Sequence, residues 1–72
     1  MAKLLPYSRE ELIRKLKKAG FSGPYPGEKH SWMEKKGVRL IIPNPHRGDI
    51  DIKLIRKIIK YAGIKPDEWL LL

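Results

Sequence analysis

The chain has 72 residues, and a domain of this size buries only about 60% of the surface its unfolded form exposes, which excludes a large enclosed active site and puts any chemistry on an open face. Sixteen lysines and arginines against eight aspartates and glutamates give a net charge of +8 at pH 7, so a polyanion is the first partner to expect. The 42% hydrophobic and 33% charged residues are those of a folding chain, and the absence of cysteine excludes disulfides, thiolate nucleophiles and thiolate zinc sites and favours the cytosol.

Tyr7-Ser8-Arg9-Glu10-Glu11-Leu12 reads as a helix start. Ser8 and Glu11 have the spacing of a capping box, and Tyr7 and Leu12 that of a hydrophobic staple. The first helix then runs from Arg9 to about Ala19. Leu12, Ile13, Leu16 and Ala19 form its apolar stripe, Arg14, Lys15, Lys17 and Lys18 its outer side, and Gly20-Phe21 a Schellman ending. From Ser22 to Glu28 two glycines and two prolines predict a loop or a poor edge strand. Lys29 to Lys35 and Val38 to Ile42 are strand candidates, joined in a hairpin at Lys36-Gly37. Which side of the first of these strands faces outward is left open by its alternation.

Pro43 to Gly48 cannot continue the ladder, because prolines lack the amide donor and force their predecessors into extended geometry, so an ordered loop follows. The second helix starts at Asp49 to Asp51 with Asp51 as cap. It turns Ile52, Ile55, Ile58, Ile59 and Ala62 inward and Lys53, Arg56, Lys57 and Lys60 outward, and stops at Gly63-Ile64. Pro66-Asp67-Glu68 begins a last helical turn carrying Trp69. The expected fold is a single α+β domain, α-β-β-β-α, over residues 1–72: two helices on one face of a two- or three-stranded antiparallel sheet, with a short C-terminal helical turn. No apolar run approaches the 18 or so residues of a membrane span, and Met1 to Tyr7 is too short for a signal peptide.

Six of the eight acidic residues lie at helix starts, where they complement the helix dipole and leave the remaining surface to the cations. Neither a helix-turn-helix, a zinc finger nor an RRM signature is present, and a small sheet backed by two helices is the layout of double-stranded-RNA-binding domains, so RNA is the favoured polyanion. Tyr25 and Trp32 could stack on unpaired bases, although a tryptophan is more often a core residue. For chemistry the chain offers three serines, no threonine and no cluster of acids for a metal pair. His30 and His46 remain as residues able to take and give protons near neutrality. A histidine among cations could deprotonate a ribose 2′-hydroxyl and turn it on the adjacent phosphate without a metal or other cofactor.

At this point the sequence resembles the HicA (YcfA-like) family of bacterial and archaeal toxins, and the likeness covers almost the whole chain. It rests on Leu12 to Phe21, ending Lys-Ala-Gly-Phe; on Lys29-His30-Ser31-Trp32 at the family's Gly-Ser-His strand; on Ile42 to Ile50 at its Pro-x-His-x-Gly loop; and on Ile55 to Ile64 at its Leu-Arg-x-Ile-Leu-Lys-x-Ala-Gly helix. The resemblance implies a dsRBD-like fold, mRNA cleavage and neutralisation by an acidic HicB-like antitoxin. It makes His30 the catalytic base, with His46 the runner-up, and puts His46 or Arg47 at a substrate phosphate; the chain's own charge and aromatic pattern adds Lys29, Trp32, Lys35, Lys36, Arg39, Arg56 and Lys60 as expected RNA contacts. The chain departs from the pattern twice: Gly-Ser-His appears as Glu28-Lys29-His30 with Gly27 one place early, and the proline-rich Ser22 to Pro26 stands where the family has its first strand. A module that binds RNA without cutting it is the alternative, and a basic face that mainly docks the antitoxin is compatible with either.

Overall fold

The computed structural model describes residues 4–45 and 48–72. In chain order it contains α1 (Arg9–Lys18), β1 (Ser22–Tyr25), β2 (Ser31–Lys35), β3 (Val38–Ile42), α2 (Ile52–Ala62) and α3 (Pro66–Leu70). The strands form one antiparallel sheet in the order β1-β2-β3, and the α-β-β-β-α arrangement with a final helical turn is the expected one. Among the described residues no helix is long and apolar enough to cross a membrane.

The helix ends follow from their cap residues. Ser8 Oγ accepts from the Glu11 amide at 3.2 Å while Glu11 Oε1 accepts from the Ser8 amide at 3.3 Å, which closes the capping box. Asp51 accepts from the Lys53 amide at 3.1 Å at the start of α2. Both long helices end in paired Schellman bonds: Phe21 N to Leu16 O and Gly20 N to Lys17 O in one, Ile64 N to Ile59 O and Gly63 N to Lys60 O in the other. The β2–β3 hairpin turns in two residues, Lys36 and Gly37, at φ 48° and 84°. Positive φ at both positions marks the type I′ turn whose twist matches the flanking strands.

Register settles which face of the sheet is buried. Met33 pairs with Leu40 and Ser31 with Ile42, and Met33, Leu40 and Ile42 join Leu12, Leu16, Ile55 and Ile59 in a single core between sheet and helices. Trp32 and Glu34, opposite Ile41 and Arg39, point to the other side, which no element among the described residues covers. The segment before α1 is tied to the loop before α2 by a bridge between Tyr7 and Ile50, with Ile50 N donating to Tyr7 O at 2.7 Å.

One open alternative is decided and two expectations need correction. Of the loop or poor edge strand expected from Ser22 to Glu28, the structure has the edge strand, over Ser22–Tyr25: Ser22 pairs with Glu34 and Tyr25 with Trp32, and a register shift between them takes up the irregularity around Pro24. The strand expected from Lys29 begins instead at Ser31. The next residue pair of the β2–β3 ladder would put Pro43 opposite His30, and the next of β1–β2 would put Pro26 opposite Ser31, so neither neighbour has an amide to offer. Lys15, expected on the outer side of α1, is buried. Its stem passes between Tyr7 and Trp69, with Nζ 5.3 and 5.4 Å from their ring centroids, and the ammonium donates to Trp69 O and Leu72 O, each at 3.1 Å. Burial, with smaller contributions from the Arg14 and Lys18 charges, holds the Lys15 pKa below its ordinary value against the opposing pull of Glu11.

Candidate functional site

Because the ladder stops at Ser31, His30 is the first residue beyond the sheet, exposed at the end of β2. Gly27 fixes the chain around it. A Cβ at this position would run into the His30 carbonyl oxygen and sit 3.3 Å from Trp32 Cδ1, so only glycine lets the preceding loop lie against the His30 backbone. The glycine that the family pattern puts one residue later has its structural use here. Gly27→Ala is therefore expected to lower stability by about 1–3 kcal/mol and to move the His30 imidazole resonances; an unchanged denaturation midpoint with unmoved resonances contradicts this packing.

His30 stands between two open depressions that also share Asn44. The larger, of about 420 Å³, is walled by Ile41, Pro43, Pro45 and Leu54, with Asp49 and Asp51 at its α2 end. The smaller, of about 210 Å³, brings together Arg9, Lys29 and Ser31. Arg9 Nη2 donates to Ser31 Oγ at 3.2 Å, which ties a guanidinium from the first turn of α1 to the residue beside His30. An imidazole thus has an apolar wall on one side, suited to a ribose or base, and two cations on the other, suited to a phosphate. Of the two carboxylates, Asp51 is occupied as the α2 cap, while Asp49 is exposed.

On the open face of the sheet, Trp32 lies between Tyr25 of β1, with ring centroids 4.7 Å apart, and Arg39 of β3, whose Cζ is 4.1 Å from the indole centroid. Trp32 is half-buried outside the core. With its flanks engaged, it serves to hold the Arg39 guanidinium in a fixed plane.

The other expected contacts scatter. Lys29 is beside His30, and Lys36 is exposed in the hairpin turn. Lys35 is on the helix-facing side: its ammonium donates to Ala19 O at the end of α1 and lies 5.9 Å from the Phe21 ring centroid. That geometry makes Lys35 a cap for α1 and not a free cation of the open face. Arg56 and Lys60 lie with Lys53 and Lys57 around a separate depression on the outside of α2, of about 390 Å³, and neither lines the two depressions at His30. His46 and Arg47 are outside the described residues.

Arg9 and Asn44 are among the site neighbours that sequence reasoning missed. Arg9 read only as the first residue of a helix, and its approach to Ser31 spans 22 positions, which no local pattern reveals. Asn44 carried a signal, being the only side-chain amide in the chain.

The sequence profile of a family described as HicA toxin of bacterial toxin-antitoxin matches residues 9–64. The matched span opens on Arg9, contains the whole sheet and closes just beyond the Gly63 stop of α2. No curated protein and no solved structure matches the chain.

Proposed function

The chain belongs to the HicA toxin family, the toxin side of bacterial toxin-antitoxin pairs, and from that premise we propose that it is a metal-independent endoribonuclease that cuts mRNA and is neutralised by an acidic HicB-like antitoxin. The observation that carries this reading is the setting of His30, exposed between an apolar wall and the Arg9–Lys29 cation pair.

A ribose seated against Ile41 and Pro43 offers its 2′-hydroxyl to the His30 imidazole, which takes the proton as general base. The 2′-oxygen attacks the adjacent phosphorus, the bond from phosphorus to the 5′-oxygen breaks, and the departing 5′-oxygen recovers a proton from the imidazolium or from water. The products are a 2′,3′-cyclic phosphate and a 5′-hydroxyl. Arg9 and Lys29 counter the charge that builds on the non-bridging oxygens, where a fixed cation contributes most. Arg9 suits this task because its bond to Ser31 limits its motion before substrate arrives.

The test is an incubation of the pure protein with RNA in EDTA, beside the same RNA carrying one 2′-deoxynucleotide at the cleaved position. Cyclic-phosphate ends from the first and no cut at the substituted position in the second are expected. Intact RNA, cleavage at the deoxy position, or loss of activity to EDTA each overturns the mechanism. A second reading, RNA held without cleavage, is favoured by one observation: the Tyr25–Trp32–Arg39 array is complete without any part from His30. Intact RNA bound with strongly salt-dependent affinity is its signature.

A further inference from the structure

A further depression, of about 280 Å³, lies between β3 and α2 and is lined by Arg39, Leu40, Ile41, Lys57, Ile58 and Tyr61. It shares Ile41 with the larger depression at His30, so the two adjoin across one side chain. We propose that this depression is a nucleotide subsite for single-stranded RNA, in which Tyr61 stacks on a base flanking the cleaved bond and Arg39 and Lys57 hold the phosphate. This rests on the ribonuclease reading for what happens at His30, but not for whether RNA occupies the groove.

The residues are arranged for that occupant. Tyr61 is 70% exposed and Ile41 57%, an aromatic ring and an apolar side chain facing solvent on a chain that had a core available to bury them. Tyr61 lies one helical turn from Lys57 on α2, which puts ring and ammonium on the same helix face. Arg39 is already stacked on Trp32, so little motion is lost when its fork engages a phosphate. Among the described residues no acidic side chain lines this depression, in contrast to the larger one with Asp49 and Asp51. An aromatic ring beside two cations is the combination that holds unpaired nucleotides without reading their sequence. An acidic peptide would use the cations, but it gives Tyr61 and Ile41 no planar partner.

The experiment measures binding of a fluorescently labelled single-stranded RNA octamer to the His30→Ala chain, so that cleavage cannot deplete the probe. Adding Tyr61→Ala should weaken binding about tenfold, as loss of one base–aromatic stack does, while Tyr61→Phe should bind like its parent. Lys57→Ala should reduce the slope of log affinity against log salt by about 0.7, the value for one single-strand phosphate contact. Tyr61 is exposed, so both variants should melt with the parent. Unchanged RNA affinity in Tyr61→Ala overturns the subsite, all the more if antitoxin binding is what the substitution loses. The readouts separate from the cleavage reading: a parent chain that never cuts RNA but needs Tyr61 to bind it keeps the subsite and loses the His30 mechanism.

Discussion

Replacing His30 with alanine is expected to lower RNA cleavage by a factor of about 10²–10⁴, the usual contribution of a positioned general base, with no loss of folding. The side chain is exposed and makes no part of the core, and substitutions at such positions shift stability by about 0.5 kcal/mol or less. The substitution leaves the neighbouring cations in place. Arg9 keeps its bond to Ser31, and binding of uncut RNA should be close to that of the parent. Because both depressions beside His30 are open, free imidazole can reach the vacated position. Added imidazole should therefore restore part of the cleavage in His30→Ala, and not in a variant whose phosphate cations Arg9 and Lys29 are removed together. Parental rates in His30→Ala assign the base to another residue. A rate that falls together with the melting temperature marks His30 as structural.

Much of this frame can be read in the sequence because its signals are local. A capping box, two glycine stops and a Lys-Gly turn each act within a few residues, and each is found in the structure as the spacing predicts. What escapes is what depends on a partner distant in sequence. Ser31 ends the ladder because Pro43 and Pro26 would come opposite the next positions, and this cannot be seen until register is known. The same pairing puts His30 beyond the sheet. Lys15 follows the same logic: helical periodicity assigns it to solvent, and only the fold-back of Trp69 and Leu72, more than 50 positions away, gives its ammonium two acceptors. For the site, the family motifs point to His30 but not to Arg9, Ile41 or Tyr61. Tyr61 did carry a sequence signal, as an aromatic residue outside the inward stripe of α2.

The family match ends at residue 64, yet Trp69 beyond it is among the largest fully buried side chains of the chain, at 0% exposure. Trp69→Ala is expected to cost about 3–5 kcal/mol. A domain of this size has about 4–10 kcal/mol of total stability at typical values per residue, so the substitution consumes much or all of it. Three contacts are lost together: the packing in the core, the edge-on contact with Tyr7 at 5.7 Å and 81°, and the ring face over which Lys15 Nζ sits. The last matters because burial already disfavours the Lys15 charge and is the main cause of its lowered pKa. The sign follows from linkage. With the folded pKa below the usual lysine value, the folded chain releases this proton before the unfolded chain does, so the Lys15 contribution becomes more favourable as pH rises through that window toward 10.5. Trp69→Phe supplies the control. It keeps an aromatic ring against Tyr7 and Lys15 and removes the indole Nε1–H, which is buried without a hydrogen-bond partner among the described residues, so the lost volume is partly offset by removal of an unsatisfied donor. Its expected loss is about 1.5 kcal/mol or less, read with Trp69→Ala from denaturant midpoints by circular dichroism. If Trp69→Ala unfolds at the parental midpoint, α3 is an appendage and the core closes without it.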